Sequence, residues 1–250
     1  MSLTLKLALS PLLVAQALRT RARVPRLPEA AGPREGVVGE AGRLLRVLIA
    51  GDSSAAGVGV STQRDALAGQ LARELAQRCR AQVVWQLIAR TGATSQQTLA
   101  LLAEAMPGTA DIAVIVTGVN DVVEQVPTRR AMNARASIAN HLRNRCGVWH
   151  VVFCPLPPIE QFPALPQPLR WMAGADARRH NRALREWADS RARQLGDVSH
   201  VCLDDVQLNR AVMADDGFHP GEPVYRQVAV DVAEHIATSV WPRLAPSSRS

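Results

Sequence analysis

The chain has 250 residues, enough for one sizeable α/β domain and few for two, and a hydrophobic content of 47% suits a single packed core. Its formal net charge is +7, yet Lys6 is the sole lysine, so 28 of the 29 basic residues are arginine. Those arginines are scattered and aromatic residues make up only 4%, which argues against a nucleic-acid-binding surface.

Leu7 to Leu18 is an apolar run broken by Ser10-Pro11. At about 1.5 Å per residue it is too short to span a hydrocarbon core of about 30 Å. Arg19, Arg21, Arg23 and Arg26 follow at once. Positive charge there opposes translocation, so residues 3–26 are expected to lie on a membrane surface or dock as a helix. A cytoplasmic, membrane-associated protein is the expectation, and secretion through a short signal peptide stays open. Pro25, Pro28, Gly32, Pro33 and Gly36 predict a linker. The expected organisation is an N-terminal segment and linker over 1–42, one folded domain over 43–242 and a tail over 243–250.

Leu44 to Ala50 has the length and aliphatic content of a buried strand, and it stops at Gly51-Asp52-Ser53-Ser54. Leu67, Leu71 and Leu75, spaced by four, predict the helix that follows. Val83 to Ala89 predicts a second strand, and Ser95 to Met106 its helix, ended by Pro107-Gly108. Ile112 to Val116 is the third strand. A helix carrying Met132, Ala136, Ala139 and Leu142 leads to a fourth strand, Val148 to Cys154. Pro155 to Pro168 holds six prolines in fourteen residues and reads as a loop. An arginine-rich helix from Asp176 to Gln194, a fifth strand from Val198 to Leu203 and an amphipathic helix from Pro223 to Val240 complete the chain. Strand and helix alternate, which predicts a parallel sheet with helices on both faces. Cys79, Cys146, Cys154 and Cys202 have no paired spacing and read as buried thiols. No HExxH or paired-cysteine pattern occurs, so neither a metal nor a cofactor is expected.

In such a sheet, ligands bind outside the carboxyl ends of the strands, where Ser53 falls. A glycine and a serine after a strand also serve ordinary turns, so Ser53 alone carries little. Three further blocks stand beside it: Arg90-Thr91-Gly92-Ala93-Thr94 after the second strand, Gly118-Val119-Asn120-Asp121 after the third, and Asp216-Gly217-Phe218-His219-Pro220 near the end. Serine is a poor nucleophile unless a base lies within reach and a third group orients that base. Of six histidines, His219 sits in a Gly/Pro-flanked loop with Asp216 three residues earlier, whereas the others fall within predicted helices and strands.

These four blocks, in this order, resemble the SGNH (GDSL-type) hydrolase family, over about Arg43 to Val240. The resemblance implies a flavodoxin-like three-layer α/β/α sandwich with a five-stranded parallel sheet. It implies Ser53 as nucleophile, Asp216 and His219 as the rest of a catalytic triad, and an oxyanion hole made by Ser53, Gly92 and Asn120. Ser54 stands where the family's GDSL name has leucine, which bears on subgroup and substrate. An α/β-hydrolase is disfavoured because Ala55 occupies the last glycine position of Gly-x-Ser-x-Gly and Ser53 ends the first strand. A dinucleotide-binding domain is disfavoured because Gly57-Val58-Gly59 comes late and has no third glycine in register.

The expected function is hydrolysis of a small-molecule carboxylic ester through an acyl-enzyme. The alternatives are an idle fold that binds an acyl or glycan ligand, an acyltransferase, or a carbohydrate acetylesterase. Leu156, Ile159, Phe162, Leu165, Leu169, Trp171 and Met172, on and just after the proline-rich loop, are expected to form an apolar wall, with Leu156, Ile159, Phe162 and Trp171 as candidate substrate contacts. That wall predicts short-to-medium acyl or lipid-like esters. Oligomeric state is not legible.

Overall fold

A computed structural model describes residues 3–40, 42–203 and 207–244, without the side chains of the first few; most of the expected C-terminal tail, 245–250, lies outside the described residues. Five strands form the parallel core: β2 (Arg43–Gly51), β3 (Ala81–Ala89), β4 (Ile112–Val116), β5 (His150–Phe153) and β6 (Val198–His200). A sixth, β1 (Glu35–Val38), pairs antiparallel with β3, giving the order β1-β3-β2-β4-β5-β6. The parallel five alone have the doubly wound order of flavodoxin-like folds, with the switch point at β2.

Alternation along β2 sets the layers. Leu45, Val47 and Ile49 face one side, where they pack with Leu67, Leu71 and Leu75 of α3 (Leu67–Cys79) and with Ala229, Val232 and Ala233 of α8 (Glu222–His235). Leu48 and Ala50 face the other. There they meet Leu102 of α4 (Ser95–Ala105), Ile138 and Leu142 of α6 (Thr128–Cys146), and Leu184 of α7 (Leu169–Gln194). A β2 residue slipped by one would turn its aliphatic face to the wrong layer, so both layers hold the register.

Five expectations need correction. The stretch read as a linker joins the sheet instead: Ala30 is buried, and residues 35–38 pair with residues 83–86 of β3. Its prolines and glycines suggested flexibility, but only pairing to an existing strand reveals that four-residue edge. The arginine-rich helix begins at Leu169, seven residues before the expected start, and the fifth strand stops at His200. Of the four cysteines, Cys79, Cys146 and Cys154 are buried while Cys202 is exposed, just after β6. The sheet is six-stranded rather than five.

The N-terminal helix α1 (Leu3–Arg23) lies against the start of α7, where the Gln16 side chain donates to Gln167 O and accepts from Leu169 N–H. Leu12, Val14 and Leu18 stay exposed. No helix among the described residues is long and apolar enough to cross a membrane.

Candidate active site

β2 ends where Gly51 passes so close to β4 that a Cβ there would sit 1.8 Å from Val116 O. Only glycine permits that approach, and it lets Asp52 N–H donate to Val116 O at 3.0 Å. The short helix α2 (Ser53–Ala56) starts at the next residue, capped by Asp52, whose carboxylate accepts Ser54 N–H at 3.0 Å. Ser53 N–H therefore lies in a first turn, where no intrahelical carbonyl is available to it.

The loop before α8 brings a histidine to this serine. Asp216 Oδ1 accepts the backbone N–H groups of Phe218 and His219, both at 2.9 Å, which folds the loop back on itself. His219 Nδ1–H donates to Asp216 Oδ2 at 2.5 Å, and Ser53 Oγ–H donates to His219 Nε2 at 3.1 Å. The Asp216 side chain is fully buried and that of His219 is 14% exposed. Burial pushes the Asp216 carboxyl up, but the bonds from the His219 ring and the two N–H groups outweigh it and hold it below its ordinary value. An ionised carboxylate thus fixes the Nδ1–H tautomer and leaves Nε2 free to take a proton. Tyr225 OH donates to Val58 O at 2.6 Å, tying α8 to the loop after α2.

Two more turns follow the strands on either side of β2. Gly92 lies exposed after β3, and a Cβ there would meet nothing within 4 Å among the described residues. Asn120 belongs to α5 (Val119–Val123), after β4, and its Nδ2 donates to Ala93 O at 3.1 Å. That bond uses one of two amide protons and leaves the other. The resemblance grouped Ser53, Gly92 and Asn120, and the fold brings them to the carboxyl ends of three adjacent strands.

Beneath these turns lies a buried polar cluster that sequence reasoning did not single out. Asp121 accepts Ser95 N–H at 3.0 Å and Ser95 Oγ–H at 2.5 Å, joining the turn after β4 to the start of α4. Arg135 of α6 donates to Thr117 O at 3.1 Å and pairs with Asp121 at 3.7 Å. Gly118 (φ +135) makes room for it, since a Cβ there would fall 2.1 Å from Arg135 Nη2. Burial pushes the Asp52 carboxyl up to about 7, the Ser54 bond and His219 pull it down, nearby Asp121 raises it, and Arg135 lowers it. An arginine at the apolar spacing of Ala131, Ile138 and Leu142 was the available signal.

A cavity of about 270 Å³ extends from Ser53 and His219 past the ends of β4 and β5 toward the segment after β6, where Val201 and Leu203 line it. Of the candidate substrate contacts, Leu156 and Phe162 line it; Ile159 and Trp171 do not. Ile159 is buried among Val122, Leu165, Leu208 and Met213, while Trp171 is 44% exposed on α7. The expected wall is thus largely the loop's own packing, because residues clustered in sequence turn to different sides once the loop folds. Arg178, Arg185 and Asn181 of α7 add a polar side that the apolar-wall expectation lacked.

A three-layer sandwich carrying this serine, glycine, asparagine and histidine at one edge is the arrangement that defines the SGNH hydrolases. The model of the GDSL-like Lipase/Acylhydrolase family matches residues 49–227, and the chain belongs to that family. It is 27% identical over 234 residues to the GDSL-like esterase Rv1075c of Mycobacterium tuberculosis, covering 87% of this chain and 73% of that one. Among solved structures it resembles TesA (TM-score 0.55, 24% identity, 76% of this chain and 97% of that one). The lipase Lip_vut3 from a goat rumen metagenome is similar in fold (TM-score 0.59, 17% identity, 78% and 97%).

Proposed function

We propose that the protein is a carboxylic ester hydrolase that works through a Ser53 acyl-enzyme. The observation that carries this reading is the continuous chain Ser53 Oγ–His219 Nε2 (3.1 Å) and His219 Nδ1–Asp216 Oδ2 (2.5 Å). Neutral His219 takes the Ser53 proton as Oγ attacks the ester carbonyl. The negative oxygen rests on Ser53 N–H, Gly92 N–H and the second amide proton of Asn120. His219 then protonates the departing alcohol, accepts a proton from the incoming water, and the acid leaves as Ser53 recovers its hydrogen.

The substrate we propose is an ester of short-to-medium acyl length. A cavity of about 270 Å³ suits a small ligand, being below the roughly 300–1,000 Å³ usual for drug-sized ones. Val116, Val119, Leu156, Phe162 and Val224 supply its apolar surface. Each buried CH₂ contributes about 0.8 kcal/mol, so butyrate to octanoate esters gain over acetate until the cavity is full. A p-nitrophenyl ester series, with a fluorophosphonate probe mapped by peptide sequencing, tests both parts. Expected are label on Ser53, none on Ser53→Ala, and kcat/KM higher for butyrate than for acetate. Label that survives Ser53→Ala overturns the nucleophile, and a preference for acetate or acetylated xylan overturns the acyl-length reading.

A further inference from the structure

Glu29 lies outside the stretch matched by the family model, yet it reaches the turn that carries Gly92. Its Oε1 accepts Thr91 N–H and Thr91 Oγ–H, both at 2.7 Å. Its Oε2 is held by Arg34, whose Nη1 also donates to Ala89 O, the last residue of β3, at 2.7 Å. The same segment grips the helix that begins at Ser53. Ala30 N–H donates to Ala56 O at 3.3 Å, and Gln63 Nε2 donates to both Ala30 O and Ala56 O, at 3.1 and 2.9 Å. One short strap therefore touches α2 and the 90–93 turn together.

The turn is also held at its two ends, where Arg90 N–H donates to Gly51 O and Ala93 N–H to Arg90 O, both at 3.2 Å, and Asn120 Nδ2 donates to Ala93 O at 3.1 Å; none of these three bonds is made by Thr91 or Gly92. Arg90, Thr91 and Gly92 are all exposed, and a Cβ at Gly92 would find no neighbour within 4 Å among the described residues. A backbone N–H without packing around it takes its direction from hydrogen bonds on the adjacent residue. We propose that Glu29 is a positioning residue for acyl transfer at Ser53: by holding Thr91, it sets Gly92 N–H against the developing oxyanion. The inference rests on the esterase reading above. Burial pushes the Glu29 carboxyl up, but the two Thr91 bonds and Arg34 outweigh it and hold it below its ordinary value, so the acceptor is charged at neutral pH.

The test uses the full chain and compares Glu29→Ala and Glu29→Gln with the unaltered protein, by p-nitrophenyl butyrate kinetics, the rate of Ser53 phosphonylation, and Tm. Glu29→Ala should lower kcat about 10- to 100-fold with KM changed less than about twofold, because a misplaced donor weakens the transition state rather than substrate binding. Phosphonylation should slow in parallel, since the adduct oxygen occupies the same hole. Glu29→Gln keeps an amide oxygen for Thr91 and should recover most of the loss. Thr91→Val, which removes only the hydroxyl donor, supplies a milder version of the same result if Glu29→Ala fails to fold. A lowered Tm with kcat unchanged below the transition, or a kcat loss that Glu29→Gln does not recover, overturns the inference while esterase activity stands. No hydrolysis and no Ser53 label in the unaltered protein overturns the esterase reading, and this inference with it.

Discussion

The carboxylate of Asp121 and the guanidinium of Arg135 face each other at 3.7 Å, and each side chain is only 1% exposed. Removing one partner of a buried pair strands the other charge, typically at a cost of about 3–5 kcal/mol. Arg135→Met should therefore lower the urea midpoint markedly, with Asp52 adding a second carboxyl to the same pocket. Arg135 Nε has no hydrogen-bond partner among the described residues, so the pair is incompletely satisfied, and Arg135→Met combined with Asp121→Asn should regain part of the loss. A midpoint unchanged in Arg135→Met would mean that the pair contributes nothing to stability.

His219→Ala should reduce kcat by several orders of magnitude, and Asp216→Asn by about 10⁴, as expected when the tautomer that accepts the serine proton is lost. Both variants should still bind a non-hydrolysable ester analogue, because neither side chain shapes the apolar part of the cavity. Activity retained in His219→Ala would require another base.

Asp52 should make stability fall as pH rises. Its folded value is about 7 against an ordinary value of 3.8, so between those limits the folded state holds a proton that the unfolded chain has released. Stability is then fully present below pH 3.8 and declines until about pH 7. Asp52→Asn, which keeps an oxygen for Ser54 N–H, should lack this decline, and its stability relative to the unaltered protein should grow from pH 4 to 7. His150 acts oppositely. Burial pushes it down to about 4 from 6.5, so its contribution is lost as pH falls through that window. Urea midpoints at several pH values, on single variants, separate the two slopes.

Truncation divides the N-terminal segment in two. A chain starting at Arg26 keeps Glu29, Arg34 and β1, and should retain full activity and Tm. Starting at Arg43 removes the edge strand and the Thr91 contacts, and Tm and kcat should both drop. The full chain, but not the one starting at Arg26, should sediment with anionic vesicles through exposed Leu12, Val14 and Leu18 and the arginines beyond them. Equal sedimentation of both would remove α1 as a membrane contact.

The parallel core was legible because its signals are local. Runs such as Leu44 to Ala50 are apolar on both faces, as strands covered by two helical layers must be, and the ends of β2, β3 and β4 are each marked by a glycine, at Gly51, Gly92 and Gly118. β1 was not legible: Glu-Gly-Val-Val has no periodicity of its own, and it becomes a strand only because the outer edge of β3 is there to pair with it. The expected apolar wall failed for a related reason. Composition reports that Ile159 and Trp171 are apolar, but not that one packs beneath the loop while the other faces solvent.

The sequence by itself determined the fold class, the family and the four turns at which Ser53, Gly92, Asn120 and Asp216-His219 stand, since turn chemistry and strand periodicity are written in neighbouring residues. Only the tertiary structure decided that His219 Nε2 comes within 3.1 Å of Ser53 Oγ, that Glu29 reaches Thr91, and that Arg135 pairs with Asp121. Those contacts join residues far apart in the chain, and their distances depend on how layers of sheet and helix pack, which no local pattern encodes.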